Sequence, residues 1–116
     1  MTVVLAWTST PEGRAAQDAA VAEARRRSLD LVVVPVQQGR PEIRAAEGVV
    51  VRVREPDEGD RDMVGDFLDI AAEEDASLIV IGVRHRSAVG KLILGSSAQQ
   101  VLLEAAAPVL AVKAPR

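Results

Sequence analysis

Residues 77–97, SLIVIGVRHRSAVGKLILGSS, decide how the rest of the chain is read. Ser77-Leu78-Ile79-Val80-Ile81 is a continuous apolar run of the kind found in a strand covered on both faces. Gly82 to Ser97 follows as a glycine-punctuated loop, and Gly95-Ser96-Ser97 opens an amphipathic helix. A strand that passes through such a loop into a helix start can hold an anion, because the first N–H groups of a helix lack internal partners and the macrodipole is positive there. Arg84, Arg86 and Lys91 add cationic charge to the same segment. The stretch is therefore read as a ligand loop, for a nucleotide, on a small α/β domain.

Working outward, the elements on either side repeat the same alternation. Val3-Val4-Leu5-Ala6-Trp7 is a buried strand, and in Thr8-Ser9-Thr10-Pro11-Glu12 Thr10 is placed to cap a helix with Pro11 at its first position. That helix runs to about Arg27, with Ala15, Ala16, Ala19, Ala20 and Ala24 along one side. Arg25-Arg26-Arg27 is a solvated last turn that complements the dipole. Leu31 to Val36 is a second buried strand. Gln37 to Gly48 is polar and leaves room for a short helix from Pro41 to Ala46. Val49 to Arg54 is a third strand with valines on one face and Arg52 and Arg54 on the other, as suits a sheet edge.

An acidic turn from Glu55 to Asp62 leads to a helix expected over Asp60 to Glu74, with Met63, Phe67, Ile70 and Ala71 at core spacing. The last helix, with Ser96 and Gln99 as a capping box, carries Ala98, Val101, Leu102 and Ala105 as its apolar stripe. The chain closes with Pro108-Val109-Leu110-Ala111-Val112-Lys113. Strands and helices alternate throughout, which specifies one domain, residues 1–116, built on a doubly wound parallel sheet with helices on both faces. Ligands bind such sheets at the carboxyl ends of the strands, where strand order reverses. Ala6 to Ser9 is expected to face the Gly82–Ser97 loop there. The final strand leaves an apolar edge that a second copy would cover.

Composition removes several classes of function. The 116 residues carry a formal charge of -3, with 48% apolar and 27% charged residues. An acidic balance argues against duplex nucleic acid, and 2% aromatics leaves no stacking platforms for single strands. With no cysteine and one histidine, thiol chemistry, disulfides and multi-histidine metal sites are excluded. Neither a membrane-length apolar run nor a secretion signal is present in the sequence, so a cytoplasmic location is expected.

With these residues in view, the chain resembles the universal stress protein family over nearly its whole length. ATP-binding members carry Gly-x-x-Gly, nine residues, then Gly-Ser or Gly-Thr, and close on a Pro-Val-Leu-x-Val strand. The matching positions are Gly82, His85, Gly95 and Ser96, with Pro108-Val109-Leu110-Ala111-Val112 at the end. Thr8-Ser9-Thr10-Pro11-Glu12 stands where the family has a turn of the type Asp-Gly-Ser-Pro-Glu. The resemblance implies a five-stranded sheet in the order 3-2-1-4-5, adenine nucleotide alpha hydrolase-like. It also implies a homodimer through the last strand, at Val109, Leu110, Ala111 and Val112. The ligand it implies is ATP or AMP, with magnesium accompanying ATP. Adenine would lie at Ala6, Thr8 and Val36. Ribose and phosphates would lie at Ile81, Gly82, His85, Gly95, Ser96 and Ser97, with Arg84 beside them.

Two departures matter. Thr8 replaces the usual acidic residue and keeps only a hydroxyl. His85 replaces the second glycine, where a side chain hinders positive φ or close approach to phosphate. The imidazole is either a phosphate donor or an exposed loop residue between two arginines. The expected function is that of a dimeric nucleotide-binding stress or signalling protein without strong turnover. The alternative is a member that binds no nucleotide and acts through protein partners or another anion. An ATPase or phosphotransferase is disfavoured, because no base, carboxylate pair or activated nucleophile stands near the loop.

Overall fold

A computed structural model of the protein describes residues 1–37, 39–41, 48–56, 62–84 and 95–115. In chain order its elements are β1 (Thr2–Trp7), α1 (Pro11–Arg27), β2 (Asp30–Pro35), β3 (Val51–Val53), α2 (Met63–Glu73), β4 (Ala76–Val83), α3 (Ser96–Glu104) and β5 (Val109–Lys113). The strands form one parallel sheet in the order β3-β2-β1-β4-β5. The three longest apolar runs take the three central places. Val3, Val4 and Leu5 are wholly buried between Leu31, Val32 and Val33 on one side and Leu78, Ile79 and Val80 on the other.

Helices cover both faces, and the core is split accordingly. Val3, Leu5, Trp7, Leu31, Val33, Leu78 and Val80 meet α1 through Ala16, Ala20 and Ala24. Val4, Ala6, Val32, Val34, Ile79 and Ile81 meet Phe67, Ile70 and Ala71 of α2 and Val101 of α3. The two sets alternate along each strand, as the period of two requires.

The start of α1 is as expected: Thr10 Oγ1 accepts the Gly13 N–H at 2.9 Å, and Pro11 opens the helix. Its end is closed by Ser28 in the left-handed region (φ 56°), with the Leu29 N–H donating to the Ala24 carbonyl at 3.0 Å. In the last turn Arg26 and Arg27 both bond the Glu23 carboxylate.

Several boundaries differ from expectation, among them β4, which runs on through Gly82 to Val83 because both pair with β5, so that the loop expected from Gly82 opens later. β3 spans three residues rather than Val49 to Arg54, because it pairs with β2 alone, from Leu31–Val51 to Val33–Val53. One further bond continues the ladder at each end, Leu31 N–H to the Val50 carbonyl and Arg54 N–H to the Val33 carbonyl. The helix expected from Asp60 begins at Met63, since Asp62 takes the cap position and its Oδ1 accepts the Gly65 N–H at 2.8 Å. The cap of α3 is Gly95, which has no side chain to offer, so the box expected from Ser96 and Gln99 does not form and Ser96 is the first helical residue. Residues 42–46 of the helix expected from Pro41 and residues 57–61 of the acidic turn fall outside the described residues.

Arg52 and Arg54 do more than face solvent. Arg52 Nη1 meets Glu74 Oε1 at 2.7 Å, and Arg54 Nη2 meets Glu73 Oε2 at 2.8 Å, which ties the edge strand to the end of α2.

Candidate functional site

The strand order reverses between β1 and β4, and a cavity of about 100 Å³ opens at their carboxyl ends on the α2–α3 face. Ala6 and Thr8 line it from the end of β1, Val36 from the residue after β2, and Ile81 and Gly82 from β4. Ser97 and Ala98 enter from the first turn of α3, Val101 from its next turn, and Val64 and Phe67 from α2. The walls are apolar, and polarity is confined to the Thr8 and Ser97 hydroxyls and to main-chain groups.

The first turn of α3 supplies donors. Gly95 makes no side-chain cap, and the first bond into the helix is Gln99 N–H to the Gly95 carbonyl at 3.0 Å. The N–H groups of Ser96, Ser97 and Ala98 therefore have no acceptor within the helix. Two of those residues line the cavity. Thr8 Oγ1 lies 2.9 Å from Thr10 Oγ1, so the hydroxyl at the cavity wall is held by the same threonine that caps α1.

Six of the residues singled out from the sequence thus line one cavity: Ala6, Thr8, Val36, Ile81, Gly82 and Ser97. Gly95 and Ser96 stand at the exposed helix start just beyond the lining. Arg84 is exposed after β4, with its Nε 3.9 Å from Glu12 Oε1. His85, Arg86 and Lys91 lie outside the described residues. Val64, Phe67, Ala98 and Val101 were not singled out as lining. Their only sequence signal is i, i+3 spacing, which reads equally as core.

Gly82 has a packing reason of its own. A Cβ there would stand 2.6 Å from the Glu12 carbonyl oxygen and 3.1 Å from the Gly13 nitrogen. A Cβ on Gly13 would stand 2.2 Å from the Thr8 carbonyl oxygen. The two glycines let the end of β4, the first turn of α1 and the end of β1 close on one another. No carboxylate lines the cavity, so its described residues offer a magnesium ion nothing beyond hydroxyl and carbonyl oxygens. No group of three or more metal-ligating side chains occurs among the described residues, and no described helix is long and apolar enough to cross a membrane.

Comparison with known proteins agrees with this architecture. The chain is 37% identical over 127 aligned residues to a universal stress protein of Mycolicibacterium smegmatis, covering 96% of each. A solved universal stress protein from Archaeoglobus fulgidus superposes with a TM-score of 0.72 at 29% identity, covering 97% of this chain and 98% of that one. A second structure from Archaeoglobus fulgidus, the universal stress protein in complex with dAMP, shares the fold at a TM-score of 0.66 and 24% identity, covering 97% and 98% of the two chains. The model of the universal stress protein family matches residues 3–113, and the chain belongs to that family.

Proposed function

We propose that this universal stress protein binds an adenine nucleotide, ATP or AMP, in the cleft between β1 and β4, and works as a binding protein without strong turnover. The observation that supports it is the shared lining of Ala6, Thr8, Val36, Ile81, Gly82 and Ser97 at the switch point, beside main-chain donors of α3 that have no acceptor within the helix. A neighbour of the same fold is solved with dAMP. Sites for whole drug-sized ligands run to roughly 300–1,000 Å³, so the enclosed volume suits the base alone. Ribose and phosphates would extend over the start of α3, where dipole and N–H groups favour negative charge. Among the described residues the lining offers no acid or base, which is why binding rather than catalysis is proposed.

The same reading makes the protein a homodimer through β5. That strand pairs with β4 alone among the described strands, and Leu110 and Ala111 are exposed while Val109 and Val112 are half-buried. A cytoplasmic site of action completes the proposal, with no nucleic acid or membrane partner. Binding through a protein partner in place of nucleotide is the second reading, favoured by Thr8 where relatives of the ATP-binding type have an acid.

Thermal unfolding with ATP, AMP and buffer tests the cleft. A ligand at a hundred times its Kd raises stability by about 2.7 kcal/mol. Ala98→Leu, which fills the cavity from a helical position, is expected to abolish the rise while the fold is kept. No rise in the parent protein, or an equal rise in that variant, would overturn the assignment.

A further inference from the structure

The opposite face of the sheet holds a larger cavity that the nucleotide reading does not use. It has a volume of about 450 Å³ and lies beside the first turns of α1, lined by Trp7, Ser9, Arg14, Gln17, Gly39 and Arg40, with Thr8 at its boundary. α1 sits over β1 and β4 more than over β2, so the top of the β1–β2 seam is left open on this side.

We propose that this cavity is a second ligand site, for a small oxyanion of two or more charges, phosphoryl or polycarboxylate. Its charge is unusual for an acidic chain. Arg26, Arg27, Arg52, Arg54 and Arg84 each face a carboxylate. Arg14 and Arg40 face none among the described residues, and no carboxylate lines the cavity. Two guanidiniums with no counter-charge among the described residues on one cavity are suited to planar, paired recognition of phosphate or carboxylate. The positive end of the α1 dipole has the same sign.

The remaining lining is built rather than incidental. Trp7 is 92% buried and lines the cavity. Gly39 closes on that ring: its φ is +133°, and a Cβ would stand 3.2 Å from Cη2 and 3.3 Å from Cζ3. Only glycine adopts that backbone so close to the indole without strain. Ser9 Oγ accepts from Gln37 Nε2 at 2.8 Å, which leaves its own hydrogen to donate to a ligand oxygen.

The protein reports on this site itself, because Trp7 is its one tryptophan and it has no tyrosine. Tryptophan emission is followed while inorganic pyrophosphate, and separately citrate, is added at constant ionic strength. The expected result is a saturable change with at least one anion, weakened about tenfold or more in Arg14→Ala/Arg40→Ala, as loss of charge-assisted hydrogen bonds implies. Ala98→Leu, on the other face, is expected to leave the titration unchanged, so this site and the nucleotide cleft stand or fall separately. Both arginines are exposed, and each single substitution, weakening binding several-fold, serves if the pair lowers stability. A response to pyrophosphate alone identifies a phosphoryl ligand, and one to citrate alone a polycarboxylate. No saturable change with either anion, or a change that survives loss of both arginines, overturns the proposal.

Discussion

The two faces of the sheet are packed by opposite means. On one, a single helix presents Ala16, Ala20 and Ala24, each fully buried, so that α1 lies close against the strands. Its first turn is locked down by Gly13 and Gly82, where even a methyl group would meet main chain. On the other face α2 and α3 share the sheet and fill the space with Phe67, Ile70, Ala71 and Val101. Two helices with bulky contacts leave a gap between them at the strand ends, and the β1–β4 cleft is that gap. Small side chains bring one helix close over β1 and β4 and leave the opening beside it, at the top of the β1–β2 seam, whereas large ones on paired helices leave the opening between the helices.

The sharpest way to break this contrast is Phe67→Ala. Phe67 is the largest fully buried side chain and also walls the cleft. Its loss is expected to cost about 3–5 kcal/mol, read as a fall in the denaturant midpoint. The alanine face is broken by addition instead. In most helices Gly→Ala gains up to about 1 kcal/mol. At Gly13 the sign reverses, because the new Cβ would stand 2.2 Å from the Thr8 carbonyl oxygen. Gly13→Ala is expected to destabilise by about 1–3 kcal/mol, and stabilisation in equilibrium unfolding would show that α1 can lift from the sheet at no cost.

How much of this was legible depends on what each feature rests upon. β1, β2 and β4 could be read directly, since a strand buried on both faces must be apolar throughout. The α1 start could be read because its cap is local: Thr10, Pro11 and Gly13 are neighbours in sequence. β3 was overextended because valine-rich patterning reports β propensity, whereas its length is set by a single pairing partner. In the cleft, topology set Ala6 to Ser9 opposite the loop from Gly82, and the family resemblance added Val36 and Ile81. Val64, Phe67, Ala98 and Val101 were not found, since helical spacing is the same over a filled core and over a gap. Gly82 looked like a ligand glycine, and its contact with the Glu12 carbonyl joins segments far apart in the chain, which no local pattern announces.

A smaller effect sharpens the comparison at the base of the two-helix face. Arg52 bonds the Glu74 carboxylate and holds its pKa below the ordinary 4.5, with Arg54 adding attraction and partial burial opposing both. A carboxylate with a lowered pKa contributes stability above its unfolded value and loses it as pH falls through the folded one. Glu74→Gln is therefore expected to cost stability at neutral pH, and the gap from the parent protein should close as pH drops below 4.5. The Arg52 side chain is 43% exposed, so solvent limits the effect to about 0.5–1 kcal/mol. Urea midpoints across that pH range measure it. A gap that stays constant with pH would mean that packing, not charge, links β3 to α2.

The helix starts on the two faces offer the finest comparison. α1 begins on Thr10, whose hydroxyl satisfies the Gly13 N–H, whereas α3 begins on Gly95 with no side-chain cap. Nothing about the backbone demands glycine there: φ is -66° and ψ 162°, and an added Cβ meets no described atom within 4 Å. Gly95→Ser would place an oxygen where it can accept from the Ser97 or Ala98 N–H, for a gain of a few tenths of a kcal/mol, about the difference between these residues at a cap. The same oxygen would occupy the donors proposed for phosphate and add lone pairs facing it. The variant should therefore unfold slightly later without ligand, and show a smaller ATP-induced rise than the parent protein. If its stability increases while the ATP response is undiminished, the phosphates do not rest on α3, and its uncapped start is only a missing hydrogen bond.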